Sequence, residues 1–250
     1  ANVLGIPMNK IEVDVKRLGG AFGGKEDQAT AWAVMAALAA KKLKRAIKLI
    51  LDRDDDLLMT GKRHPYSSDF KIGLDKNYKI KAIEVEYFQN GGAAADLSPA
   101  IMERTLFHVA NAYFIPNLKA TAHSCKTNIT PFTAFRGFGA PQAMFVVESA
   151  IALAANELGV DKTLIQKKNL INNGDEFHYG QICDSNNAVK SWNKLESSFN
   201  LLKTYEDVNR FNSKSKFLKK GISIMPICFG ISFTKTPMNQ ARSLVHIYQD

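Results

Sequence analysis

At 250 residues the chain can bury a substantial core, as one large domain or two small ones. Hydrophobic residues at 46% and charged residues at 23% are ordinary for a globular protein in water. Cys125, Cys183 and Cys228 lie far apart with no Cys-x-x-Cys pair, which excludes an encoded disulfide framework, zinc site or iron–sulfur site and points to a reducing cytoplasm. The net charge of +9 allows attraction to anions. Yet neither lysine run, 41–45 or 214–220, carries the interleaved aromatic platform that single-strand binding prefers, and both read as solvated faces, so nucleic acid is not an expected partner. Residues 1–30 show no signal-peptide pattern, and the apolar run 143–155 is short and broken by Glu148, so no membrane span is expected.

The first residues read as the end of a helix and its exit. Lys10 to Lys16 then alternate polar and apolar side chains, the pattern of a half-buried strand. A Gly/Phe loop follows, Leu18 to Glu26, and residues 27–43 are apolar on most faces, which predicts a buried helix. Ala46 to Leu51 predicts a short buried strand. Asp52 to Asp56 is a charged turn better suited to capping a helix than to holding a metal, since calcium and magnesium sites need spaced oxygens. Residues 66–75 and 79–89 predict an antiparallel hairpin turning at Asp75-Lys76-Asn77.

Ser98 and Pro99 then open a helix, with Leu97 placed to staple against Met102. Met102, Leu106 and Val109 form its expected core stripe, which leaves Arg104 off the stripe on a face shared with His108. By itself Arg104 therefore reads as a solvent-facing helix arginine. Asn117 to Lys126 predicts a strand, Pro141 to Leu158 a helix stopped by Gly159, and Asp161 the start of another. Residues 187–213 predict a peripheral helical hairpin with Trp192, Leu195, Phe199 and Leu202 on one side. Pro226 argues against an unbroken strand in the apolar run 220–234, and Ser243 to Tyr248 predicts a final strand. Helices and strands mix without a regular βαβ rhythm, so the fold class is α+β.

The central stretch is Thr133-Ala-Phe-Arg-Gly-Phe-Gly-Ala-Pro-Gln142, which feeds an Ala-rich helix. Its glycines permit close backbone approach or positive φ, and it presents backbone N–H groups, a guanidinium and aromatic faces at a helix start. The loop Leu18-Gly-Gly-Ala-Phe-Gly-Gly-Lys-Glu26 repeats the idea. Such loops suit an anion or a polar, planar ligand.

Four stretches, residues 19–26, Ile101-Met-Glu-Arg104, residues 133–142 and Phe229-Gly-Ile-Ser-Phe-Thr234, occur in the order found in xanthine dehydrogenases. Over nearly its whole length the chain resembles that family's molybdenum-cofactor domain. The resemblance implies mixed sheets with packed Ala-rich helices. It also implies a molybdopterin centre that hydroxylates hypoxanthine or xanthine with oxygen from water, and electrons that leave through 2Fe-2S clusters and FAD to NAD.

Residue by residue, Glu26 matches a glutamate that hydrogen-bonds the purine ring. Arg104 matches the catalytic arginine that steadies negative charge on the purine. Phe138 and Phe233 match two rings that sandwich the substrate, Thr234 a neighbouring hydroxyl, and Leu97 an apolar wall. Phe22, Gly23 and Arg136 match cofactor-binding positions, with Phe22 and Arg136 set against the molybdenum through backbone and without a side-chain ligand. Glu26 together with Arg104 is the purine-type pair, which aldehyde oxidases generally lack.

The family's general-base glutamate has no counterpart before Asp250, and Ala21 and Ala140 stand where glycine is common. Residues 1–250 are thus expected to be an incomplete cofactor- and substrate-binding domain, truncated at both ends and inactive by itself. The partners this implies are the rest of the molybdenum-binding domain, an iron–sulfur and FAD-bearing part, and an oligomeric, cytoplasmic parent enzyme. Within the resemblance the alternative is an aldehyde oxidase-like enzyme; from the residues alone the alternatives are a non-catalytic module binding anions or nucleic acid and a structural domain without chemistry.

Overall fold

The computed structural model describes every residue except 16, 18, 242 and 250. Lys16, closing the expected first strand, and Leu18, heading the first glycine loop, therefore lie outside the described residues, as does Asp250. In chain order the elements are α1 (Gln28–Leu43), α2 (Arg53–Met59), β1 (Tyr66–Leu74), β2 (Ile80–Gly92), α3 (Ser98–Phe107), β3 (Leu118–Lys126), α4 (Ala140–Glu157), α5 (Lys162–Asn169), α6 (Ala188–Phe199) and α7 (Leu201–Lys214). The class is α+β.

The strands form one sheet in the order β1-β2-β3. The β1–β2 hairpin turns where expected: the Asp75 carboxylate accepts from the N–H groups of Asn77 (2.8 Å) and Lys79 (3.0 Å). The Ile83 N–H bonds the Asn117 carbonyl at one end of the β2–β3 pair, and the Thr127 N–H bonds Gly92 at the other. Residue numbers rise together along both strands, so this pair is parallel and the sheet is mixed.

Two compact units divide the chain: Ala1–Lys71 with Glu84–Leu106 and Lys119–Gln142, and Ile72–Ile83 with Phe107–Leu118 and Ala143–Asp250. In the first, Val85, Tyr87, Ile101, Ala134 and Ala140 are buried. In the second, a larger apolar cluster gathers Ile80, Ile83, Tyr113, Val147, Ile151 and Ile165, with Trp192 of α6 inserted among them. The helical hairpin is thus anchored by Trp192, while Phe199 and Leu202 on the same predicted side stay exposed. Helix ends follow local chemistry. Asp52 caps α2 through the N–H groups of Asp54 and Asp55, Asp161 caps α5 through Thr163, and Gly159 takes φ 64 beyond α4.

Five expectations need correction. Residues 11–15 form no strand, and Val13 and Val15 are exposed. Alternation selects a face, but a strand also needs a partner strand, and the described sheet pairs β1, β2 and β3 only with one another. The runs 46–51 and 243–248 are irregular for the same reason, with Ile50, Leu244 and Ile247 in the open. Helix α1 forms as expected but buries none of its residues. The stripe on α3 is also rotated from the expected one. Its buried residues are Ser98, Ile101, Arg104 and Thr105, so Arg104 faces inward rather than toward solvent.

Ile151 is wholly buried on α4, whereas Leu153 on the same helix is largely exposed. Ile151→Ala is expected to cost about 2–5 kcal/mol in denaturant unfolding. Leu153→Ala is expected to cost no more than about 0.5 kcal/mol.

Candidate functional site

The two Gly/Phe loops meet within the first unit. Gly23 has φ 103, and a Cβ there would overlap the carbonyl carbon of Ala134 (2.7 Å) and Cα of Phe135 (2.8 Å). No side chain fits that gap. Beside this crossing the Arg136 N–H donates to the Phe22 carbonyl (2.9 Å), and the Arg136 guanidinium lies 6.0 Å from the Phe22 ring. The structure therefore brings Phe22, Gly23 and Arg136 together as the sequence suggested. The Phe22 ring is 62% exposed, an unusual setting for a large apolar side chain.

Along the central loop, Gly137, Phe138 and Gly139 all take positive φ (93, 52 and 98). For phenylalanine this is a strained conformation, costing on the order of 1–3 kcal/mol, of the kind concentrated at binding sites. Gly139 allows it, because a Cβ there would press on Thr105 Oγ1 at 2.8 Å on α3. The turn carries the Phe138 ring to Arg104, whose guanidinium sits 5.8 Å from the ring centroid. Arg104 is only 5% exposed, and burial pulls its pKa below the ordinary arginine value. Leu97 is half-buried just ahead of α3, and Glu26 is exposed just ahead of α1.

Phe233 and Thr234 lie in the second unit, both half-buried. Asn239 clamps the Phe233 backbone, accepting from its N–H (2.8 Å) and donating to its carbonyl (2.9 Å).

Sequence reasoning missed the residues that support these loops. Asp96 accepts from Gln28 Nε2 (2.8 Å), Thr133 Oγ1 (2.5 Å) and the Leu97 N–H (2.6 Å), tying the head of α1 to the central loop. Arg63 Nη2 donates to the Arg136 carbonyl (2.6 Å) while its guanidinium stacks on Phe135 at 4.5 Å. His64 is 2% exposed and shares a 2.7 Å hydrogen bond between Nε2 and Ser98 Oγ. Burial lowers its pKa to about 4, opposed in part by Asp96. The only sequence signal for this group was a short basic run, Lys62-Arg63-His64, behind Gly61.

Three buried polar atoms here have no hydrogen-bond partner: Arg63 Nη1, His64 Nδ1 and Gln142 Oε1. Orphaned groups of this kind call for a bound polar molecule or water. A donor from Arg63, an acceptor from Gln142 and open aromatic faces fit an anionic, planar, polar cofactor. Among the described residues no group of three or more His, Cys, Asp or Glu side chains could hold a metal ion directly. No described helix is long and apolar enough to cross a membrane.

The chain is similar to known proteins in sequence and in fold. A family model described as molybdopterin cofactor-binding domain matches residues 1–170. Xanthine dehydrogenase/oxidase of Rattus norvegicus is 43% identical over 250 residues, covering 100% of this chain and 19% of that protein. Xanthine dehydrogenase of Oryza sativa subsp. japonica is 41% identical over the same 250 residues, 18% of its length. Among solved structures, the aldehyde oxidoreductase of Desulfovibrio gigas matches with a TM-score of 0.69 at 26% identity, over 80% of this chain and 21% of that one. The chain thus spans about a fifth of the length of these relatives.

The His64 shift has a direct consequence for stability. The unfolded chain takes up a proton near pH 6.5 and the fold resists it down to about pH 4. The contribution of neutral His64 is therefore complete above pH 6.5 and lost as pH falls from there toward 4. Denaturant titrations across this window should show a steeper loss for the wild type than for His64→Gln.

Proposed function

The chain belongs to the molybdopterin cofactor-binding domain family, and we propose that it forms part of a purine-hydroxylating molybdenum enzyme of the xanthine dehydrogenase kind. In this reading residues 1–250 are an incomplete cofactor- and substrate-binding domain. The general base and the remaining cofactor contacts come from other segments. Electrons pass to an iron–sulfur and FAD-bearing part and on to NAD, in an oligomeric, cytoplasmic enzyme. Bound molybdopterin supplies the two-electron oxidation of the purine, with water as the oxygen source.

The chain's own residues bind and orient. Phe22, Gly23 and Arg136 present backbone at the loop crossing, where any bulkier residue at 23 would collide with Ala134. Arg63 Nη1 and Gln142 Oε1 offer the cofactor a donor and an acceptor. Phe138 gives a ring face to the purine, Leu97 an apolar wall, and Glu26 a carboxylate for a ring nitrogen. Phe233 and Thr234 add a second ring and a hydroxyl. Arg104 is the catalytic residue of this set. A guanidinium already stripped of water gains strongly from negative charge developing on the heterocycle, and no solvent has to reorganise when that charge appears.

One observation carries the reading. Arg104 is buried on α3 against the ring of Phe138, which is itself held in a strained conformation. A helix arginine with no task beyond solubility would face water. The anion- or nucleic-acid-binding alternative is not favoured, because it gives this buried pair no role.

In the enzyme carrying this segment, Arg104→Gln is expected to lower kcat for xanthine about 10²- to 10³-fold, with molybdenum and pterin content unchanged. Purine turnover within twofold of wild type would contradict the assignment. An aldehyde oxidase-like enzyme would show aldehyde turnover that exceeds purine turnover in the wild type and survives the substitution.

A further inference from the structure

Within the second unit, the apolar segment 224–230 is extended but joins no strand. Its backbone groups are met by side chains instead. Gln166 Nε2 donates to the Ile224 carbonyl (2.9 Å). Asn111 pairs with two backbone groups, as a neighbouring strand would: Nδ2 donates to the Pro226 carbonyl (2.8 Å), and Oδ1 accepts from the Cys228 N–H (3.1 Å). His108 Nε2 accepts from the Gly230 N–H (3.1 Å). Every second residue is held, the spacing of one side of a ladder.

One carboxylate decides which way these amides point. Glu148 on α4 accepts from Gln166 Nε2 at Oε2 (2.7 Å), and from Tyr113 Oη (2.6 Å) and Asn111 Nδ2 (3.2 Å) at Oε1. An ionised carboxylate accepts only, so it fixes both amides with their NH₂ groups inward and leaves Asn111 Oδ1 for Cys228. Burial pushes the Glu148 carboxyl up, while the three donors partly hold it down.

We propose that Glu148 is a positioning residue, which orients Asn111 and Gln166 so that segment 224–230 fixes the backbone leading to Phe233 and Thr234, the second unit's own purine contacts. The inference rests on the reading of Phe233 and Thr234 as substrate contacts. Pro226 has no N–H and could not serve as an interior position of a central strand. Glutamine at 148 has a single acceptor oxygen, so whichever way it turns, its NH₂ group faces either Gln166 Nε2 or Asn111 Nδ2. The amide it faces would then have to turn over, giving up the Ile224 carbonyl or the Cys228 N–H.

The test uses the enzyme carrying this segment, with amide hydrogen exchange and steady-state kinetics on xanthine. In Glu148→Gln the Cys228 and Gly230 amides should exchange about tenfold faster, the scale of one lost charge-assisted bond. KM should rise about fivefold with kcat within about twofold, the signature of weakened binding rather than chemistry. Tyr113→Phe, which removes a donor but leaves both amides oriented, should change neither reading. Should Glu148→Gln fail to fold, Gln166→Met is read the same way, with faster exchange at 224–228 and raised KM. Unchanged exchange overturns the inference, as does equal damage from Tyr113→Phe. Faster exchange with unchanged KM also overturns it, in an enzyme where Phe233→Ala does raise KM. If Phe233→Ala leaves KM unaltered, the substrate reading fails and takes the inference with it.

Discussion

The first unit depends on one place where two stretches of backbone pass with no room for a side chain between them. Gly23 lies against Ala134 and Phe135, and the Arg136 N–H closes the crossing on the Phe22 carbonyl. Both backbone polar groups of Arg136 are then committed, since its carbonyl accepts from Arg63. With the loop pinned at 134–136, the next three residues make a tight left-handed turn that only flanking glycines allow. That turn puts the Phe138 ring beside Arg104. Strain at Phe138 is tolerable because the residues on either side of it are over-determined by contacts of their own.

The second unit meets a related demand by other means. An apolar segment without a partner strand would leave the backbone donors and acceptors on its inward side unmet, at a cost comparable to a lost hydrogen bond for each that water cannot reach. Asn111, Gln166 and His108 meet them from helices and turns. Side-chain amides hold such a segment as firmly as a strand would, provided their orientation is fixed. A half-buried carboxylate with three donors does this because every one of its contacts is of one kind. Both units therefore use polar groups to hold irregular backbone, and ordinary apolar packing, centred on Ile151 and Tyr113, supplies most of the cohesion.

Much of this was legible in the residues. The hairpin at Asp75, the long helix between Pro141 and Gly159 and the paired helices over 187–213 follow from local rules, because turns, caps and helical periodicity act over a few residues. Glycine placement marked two loops able to approach closely, while the pairing of Phe22 and Gly23 with Arg136 came from the family resemblance. Arg104 was not: helical spacing around Met102 and Leu106 put it on the wet side, and only the approach of Gly139 to Thr105 turns that face inward. Asp96, Arg63 and Glu148 were invisible as actors, since each works through partners tens of residues away. Glu148 was noticed only as a charge interrupting an apolar run. The strands expected at 10–16 and 243–248 failed for the complementary reason. Alternation records a preference for a face, and a strand also needs a partner strand; the described sheet pairs β1, β2 and β3 only with one another.

The account is tested most directly by the cofactor content of Gly23→Ala in the enzyme carrying this segment. A methyl group at residue 23 must push the two loops apart, and with them the Arg136 backbone and the donor on Arg63. The expected result is at least a tenfold loss of bound pterin and molybdenum per folded enzyme, from a penalty of about 1.4 kcal/mol or more at the crossing. Full occupancy by pterin and molybdenum in a folded Gly23→Ala enzyme would contradict it.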